Sequence, residues 1–182
     1  MATTYGCSKT EYVNNSFFGF PVWVVFFICT QLTAQIQIIG ADISFEFPSK
    51  NVTGTISGFE STSIIDIDSI ENSKFIGSVT AKTLDTNNGL RNWSLRGGKY
   101  FDVDDYPKIK FESAKVIQTD SGLEVTGDLT LKGTSKPITI VFVRKGNQLM
   151  GSTSLYCIDY GIKIKKKRED NLVKVNFLFD LN

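Results

Sequence analysis

The sequence predicts an all-β chain: one antiparallel, eight-stranded barrel with a single short helical flap, behind an N-terminal signal segment. Three observations carry this. From residue 40 to residue 181, apolar side chains recur at every second position in short runs, the period of a strand with one face turned inward. Clusters of Gly, Asn, Asp, Ser and Pro separate most of these runs, at the spacing of a sandwich or barrel. No long helical period appears after residue 35. Strands this short leave edges exposed, and closure into a barrel removes them.

The chain opens with a segment of different character. No charged residue lies between Tyr12 and Ala41, and residues 17–29 are an apolar run of the length of a signal-peptide core, short for a spanning helix. Ala34 is the small residue expected at the cleavage site. The reading is a leader over 1–34, a barrel domain over 35–182, and a periplasmic or secreted destination. Cys7 and Cys29 fall in the leader, so the domain keeps one thiol, Cys157, and a disulfide framework is excluded.

In 40–47, Ile43, Phe45 and Phe47 share one face, and Pro48 to Asn51 read as a turn. Runs follow at 52–59 (Val52, Gly54, Ile56), 62–67 (Ile64, Ile65, Ile67) and 74–84 (Phe75, Val79, Ala81). Residues 83–113 then break the rhythm, and a segment this long between strands carries structure or function of its own. Thr86 or Asn87 can cap a helix running through Arg96, and Gly97 and Gly98 can end it in a left-handed turn. Leu90, Trp93 and Leu95 give that helix an apolar side. The segment 86–106 reads as a flap over one mouth of the barrel. Beyond it, Ile109 and Phe111 resume the alternation, followed by runs at 123–132, 137–144, 148–157 and 172–181. Glycines at 54, 58, 77, 127 and 151 are read as leaving room on the inward faces. An eight-stranded barrel either packs solid or holds one small ligand.

Composition narrows the chemistry. Lys and Arg number 20 against 19 Asp and Glu, so no nucleic-acid partner is expected. Histidine is absent, which removes the Ser-His-Asp relay and every His-based metal site. No metal, cofactor or catalytic residue is expected. An enzyme would have to use carboxylates such as Asp102, Asp104 and Asp105, and a solid-cored interaction module is the other alternative.

Three blocks carry a family resemblance: Leu95-Arg96 with Tyr100-Phe101-Asp102, Tyr106-Pro107 and Phe111-Glu112-Ser113; Gly127 to Gly133 followed by Lys136-Pro137; and Asp159-Tyr160-Gly161. Over residues 40–182 their order and spacing resemble the YceI-like family. The resemblance implies an exported lipocalin-like barrel that binds a polyisoprenoid or similar amphiphile in an interior tunnel. Many members have a histidine before the position of Leu95, where this chain has Asn92-Trp93-Ser94. Many have an arginine where this chain has Cys157.

The candidate ligand-binding residues are therefore Phe45, Phe47, Phe75, Phe101, Phe111, Phe142 and Phe177 along the tunnel, with Arg91, Trp93, Arg96 and Tyr100 in the flap. Single rings are most often packed core, but the set suits a hydrocarbon tail. Arg91 and Arg96 can fork onto a phosphate or carboxylate head group, or pair with Asp102, Asp104 or Asp105. Lys163, Lys165, Lys166, Lys167 and Arg168 are read as a strand end and a solvated hairpin tip, with transient contact to an anionic membrane surface as the functional alternative. Cys157 is read as a small core residue, and Asp159 and Tyr160 as holding the barrel together.

Overall fold

The computed structural model describes residues 35–66 and 68–182. The expected leader, residues 1–34, and Ile67 lie outside them. The strands are β1 Gln35–Ile36, β2 Ile38–Phe47, β3 Val52–Ile56, β4 Glu60–Ser61, β5 Ile65–Asp66, β6 Ile76–Thr80, β7 Lys108–Thr119, β8 Gly122–Leu131, β9 Thr134–Lys145, β10 Gln148–Tyr156 and β11 Leu172–Leu181, with one α-helix, α1, at Gly89–Arg96. Nine strands form a single antiparallel sheet in the order β3-β2-β11-β10-β9-β8-β7-β6-β4. Eight of them have five residues or more and β4 has two, so the expected eight-stranded wall is present with a short added edge.

The sheet curls until its ends meet. The Thr55 N–H donates to the Asp85 carbonyl at 2.8 Å and the Asp85 N–H returns to Thr55 at 2.9 Å. Next to them, the Thr80 N–H donates to Ser57 at 3.1 Å, and the Ser57 N–H donates to the Thr83 hydroxyl at 2.8 Å. The seam is made by the chain just after β6 rather than by a full ladder, and it satisfies the outer edge of β3.

Strand alternation sets the inward face as expected. Ile43 and Phe47 on β2, Val125 and Leu131 on β8, Ile140 and Phe142 on β9, and Phe179 and Leu181 on β11 are all buried. In β7 the pairing register shifts between Ser113 and Lys115, so the inward set passes from Ile109 and Phe111 to Val116, which is buried. A bulge does this by inserting one residue. Pro137 is tolerated in β9 because β10 pairs with only the last part of that strand, Val141 to Lys145.

Antiparallel neighbours place the connections at two ends. The flap end carries residues 48–51, 81–107, 132–133 and 157–171; the far end carries 57–75, 120–121 and 146–147. The far end is packed shut. β1 pairs with β5 and brings Ile36 and Ile65 into one buried cluster with Leu123, Leu149 and Leu181.

Two expectations need correction. The glycines do not leave empty space: a side chain at Gly54 would strike the Phe45 ring, at Gly151 the Phe142 ring and at Gly127 the Phe111 ring, and at Gly77 it would press on the Phe59 ring. They are seats for neighbouring aromatic rings. The basic run 163–168 is not a strand and hairpin tip but an irregular loop. It is held from inside by Asn171, which is fully buried.

Candidate functional site

A cavity of about 500 Å³ lies inside the barrel. Its wall comes from alternate residues of the long strands: Ile43, Phe45 and Phe47 of β2, Leu129 and Leu131 of β8, Ile138, Ile140 and Phe142 of β9, and Val173, Val175 and Phe177 of β11. Five rings stack and tilt against one another in its inner half. Phe75 lies 5.5 Å from Phe142, Phe142 lies 6.3 Å from Phe177 and 5.7 Å from Phe179, and Phe59 lies 5.1 Å from Phe179. Stacked and tilted ring pairs at these separations contribute stability beyond their buried area. The buried far-end residues Ile36, Ile65, Leu123, Leu149 and Leu181 are not part of the wall, whereas Phe59, Ser63 and Phe75 of the far-end connections are, so the hollow runs from the flap end down to that buried cluster.

At the flap end the lining becomes polar. Lys50, Thr86, Arg91 and Ser94 join Leu95, Tyr100 and Phe101 there. Among the described residues neither Lys50 nor Arg91 makes an ion pair. Two cations at the rim of an apolar hollow suit a ligand with a hydrocarbon tail and an anionic or strongly polar head.

The flap is tied down by buried polar groups. Asn88 caps α1, its side chain accepting from the Arg91 N–H; Thr86 and Asn87, the expected caps, serve otherwise. The Asn92 side-chain oxygen accepts from the Thr86 N–H at 2.9 Å and the Thr86 hydroxyl at 2.7 Å, and its Nδ2 donates to Asp85 Oδ1 at 2.7 Å. Thr86 and Asn92 are both buried. The Asn92 amide and the Asn87 N–H beside Asp85 hold its carboxyl below the usual value of 3.8. The helix ends at Gly97 with φ −70°, not in the expected left-handed turn. Its return is made by the Phe101 N–H to the Leu95 carbonyl and the Val103 N–H to the Arg96 carbonyl.

The predicted residues divide. Phe45, Phe47, Phe75, Arg91, Tyr100, Phe101, Phe111, Phe142 and Phe177 line the cavity. Trp93 and Arg96 do not. Trp93 is 76% exposed and Leu90 78%, because the latch turns Asn92, with Leu95, to the barrel and leaves those two on the outer side. The expected apolar side of α1 is thus split. Arg96 Nη2 donates to the Leu84 carbonyl at 2.9 Å, which pins the helix to the seam rather than to Asp102, Asp104 or Asp105. Those three aspartates are not on the cavity wall either.

Sequence reasoning missed Lys50, Thr86 and Ser94 at the rim, and Leu129, Leu131, Val173 and Val175 on the wall. The wall residues were accessible from strand phase. The rim residues depend on which turns converge at one end, which spacing does not reveal.

Cys157, where many relatives of the resembled family have an arginine, is buried and lines the cavity. Burial pushes its thiol up to about 11, so it remains protonated and apolar in character. Tyr160 is 2% exposed, and burial, then the Asp159 and Asp128 charges, push its phenol up to about 12. Asp159 takes both arms of Arg168, from Nε at 3.0 Å and Nη2 at 2.6 Å, and that guanidinium lies 3.8 Å from the centre of the Tyr156 ring. These residues close the loop against the barrel.

Comparison with known proteins agrees with this geometry. The YceI-like domain model matches residues 34–181. A UPF0312 protein of Vibrio parahaemolyticus is 35% identical over 145 residues, covering 71% of this chain and 77% of the relative. Among solved structures, BcnA of Burkholderia cenocepacia superposes with a TM-score of 0.65 at 17% identity, over 78% of this chain and 94% of that one. A polyisoprenoid-binding domain from Saccharophagus degradans, described as implicated in plant cell wall breakdown, superposes with a TM-score of 0.50 at 12% identity, over 81% and 97%. At those identities the superpositions speak for the fold. With the domain match spanning nearly the whole described chain and a relative this similar in sequence, the protein belongs to the YceI-like family.

Proposed function

We propose that this protein binds one amphiphilic small molecule, an isoprenoid or similar lipid, with its hydrocarbon tail in the barrel and its polar head at the flap-end rim. The cavity is the observation that supports this: about 500 Å³, walled by Phe, Leu, Ile and Val. Each methylene buried there contributes about 0.8 kcal/mol without needing a directional partner. The name of the Saccharophagus neighbour, a polyisoprenoid-binding domain, is consistent with the same use of the fold. Binding rather than turnover is the activity proposed, and the flap 86–106 gates entry. The family resemblance and the apolar leader support an exported protein cleaved after Ala34; the N-terminal residue of the mature protein tests that directly.

A titration with a homologous series of prenyl alcohols and fatty acids is expected to give affinity that rises with each carbon added to the tail inside the apolar wall. Affinity independent of tail length would contradict the reading.

A further inference from the structure

We propose that the flap end of the barrel docks on a lipid bilayer carrying anionic head groups, with Leu90 and Trp93 of α1 entering the interface. Among the described residues these are the two most exposed large apolar side chains, at 78% and 76%. They sit three positions apart and so share one helix face. The latch through Asn92 and Asp85, and the Arg96 bond to Leu84, fix that face outward. The pair cannot be tucked into the barrel without breaking those bonds. An indole joins a broad apolar body to one N–H donor, which suits the boundary between acyl chains and head groups.

Charge points the same end toward such a surface. Residues 89–100 hold Arg91, Arg96 and Lys99 and no acidic residue. The four connections at the flap end together carry eleven Lys or Arg against seven Asp or Glu, acidic Asp104 and Asp105 included. The far-end connections carry five Asp or Glu against one Lys. A net charge of +1 thus hides a barrel that is basic at its open end and acidic at its closed end, an arrangement that orients a protein above an anionic membrane. In the basic run only Arg168 is ion-paired among the described residues; Lys163, Lys165, Lys166 and Lys167 add to the field. Arg91, Ser94 and Leu95 of the same helix line the cavity, so docking would set the mouth against the bilayer. Docking is carried by this surface alone; only its use, passing a tail between membrane and cavity, rests on the ligand-binding reading.

The chain has two tryptophans, Trp23 and Trp93, so full-length protein carrying Trp23→Phe reports Trp93 alone. It is mixed with phosphatidylcholine vesicles with or without phosphatidylglycerol, some bearing brominated acyl chains. With phosphatidylglycerol present, Trp93 emission shifts to the blue and is quenched by the bromines. Leu90→Ser lowers partitioning about tenfold, and Lys165→Ser with Lys166→Ser lowers it by a similar factor that vanishes at high salt. All variants carry the same leader, so these differences report the flap end. Tail binding in solution is unchanged by Leu90→Ser, and loss of tail binding in a cavity-filled variant leaves vesicle binding intact, which separates the two claims. Binding with unshifted, unquenched Trp93, or with equal partitioning of Leu90→Ser, overturns docking through α1. So does a Trp93 shift that appears only with a protein partner.

Discussion

Asn171 has no exposed surface, yet it meets four backbone groups. Its oxygen accepts from the Ile164 and Lys165 N–H groups, both at 2.9 Å, and its Nδ2 donates to the Lys165 and Lys167 carbonyls at 3.0 and 2.6 Å. One side chain thereby does for the loop 157–171 what a neighbouring strand would otherwise do. Truncation to alanine strands these groups, and a buried unsatisfied group costs about 1–3 kcal/mol. Asn171→Ala is expected to lose about 3 kcal/mol or more in urea unfolding; a loss below about 1 kcal/mol would mean water satisfies the loop instead. This is also where sequence reading fell short. The alternation of Ile162 and Ile164 among lysines resembles a strand, and periodicity does not register that a distant amide replaces the ladder. Asn92 is the same case in the flap: its chemical role as a latch follows from Thr86 and Asp85 folding back to it, not from its neighbours in the chain.

At the scale of the element, α1 was legible in extent but not in orientation. The helix runs over Gly89–Arg96, close to the expected span, because the cap and the glycines bound it locally. Which side faces the barrel is decided by the polar latch, which overrides the hydrophobic side that Leu90 and Trp93 mark in the sequence. The latch has a pH signature. The Asp85 carboxyl lies below 3.8 in the folded protein, through its Asn92 and Asn87 hydrogen bonds. A depressed carboxylate contributes stability that is complete above its unfolded value and is lost as pH falls through the folded one. The stability difference between the protein and Asp85→Asn is thus expected to be constant above about pH 4 and to shrink only below it. Amide protection at Thr86 and Asn87, taken relative to the intrinsic exchange rate at each pH, should fall in that same acidic window. A difference that changed between pH 5 and pH 8 would assign the latch to another group.

For the whole molecule, the strands were readable because one face of each is buried, which ties a period of two to a fixed direction. The inward phase of β2, β8 and β11 follows from Phe47, Leu131 and Phe179 alone. The aromatic wall of the hollow was readable, but the origin of its space was not. Glycines suggested space, but Phe45, Phe111 and Phe142 lean over Gly54, Gly127 and Gly151, and the cavity is walled by those rings together with Leu129, Leu155, Val173 and Val175. Nor did overall charge reveal the separation of basic and acidic ends, which appears only once topology assigns each connection to an end.

The central claim is that this interior is filled by a ligand tail. Native mass spectrometry of the purified protein, beside Val175→Trp, tests it most directly. The added indole occupies part of the cavity while the barrel, judged by circular dichroism, persists. The account predicts that the unsubstituted protein carries or takes up a single prenyl or fatty chain and that Val175→Trp loses that adduct, with affinity down at least about tenfold. No adduct with any tail offered, or equal uptake by Val175→Trp, would contradict it.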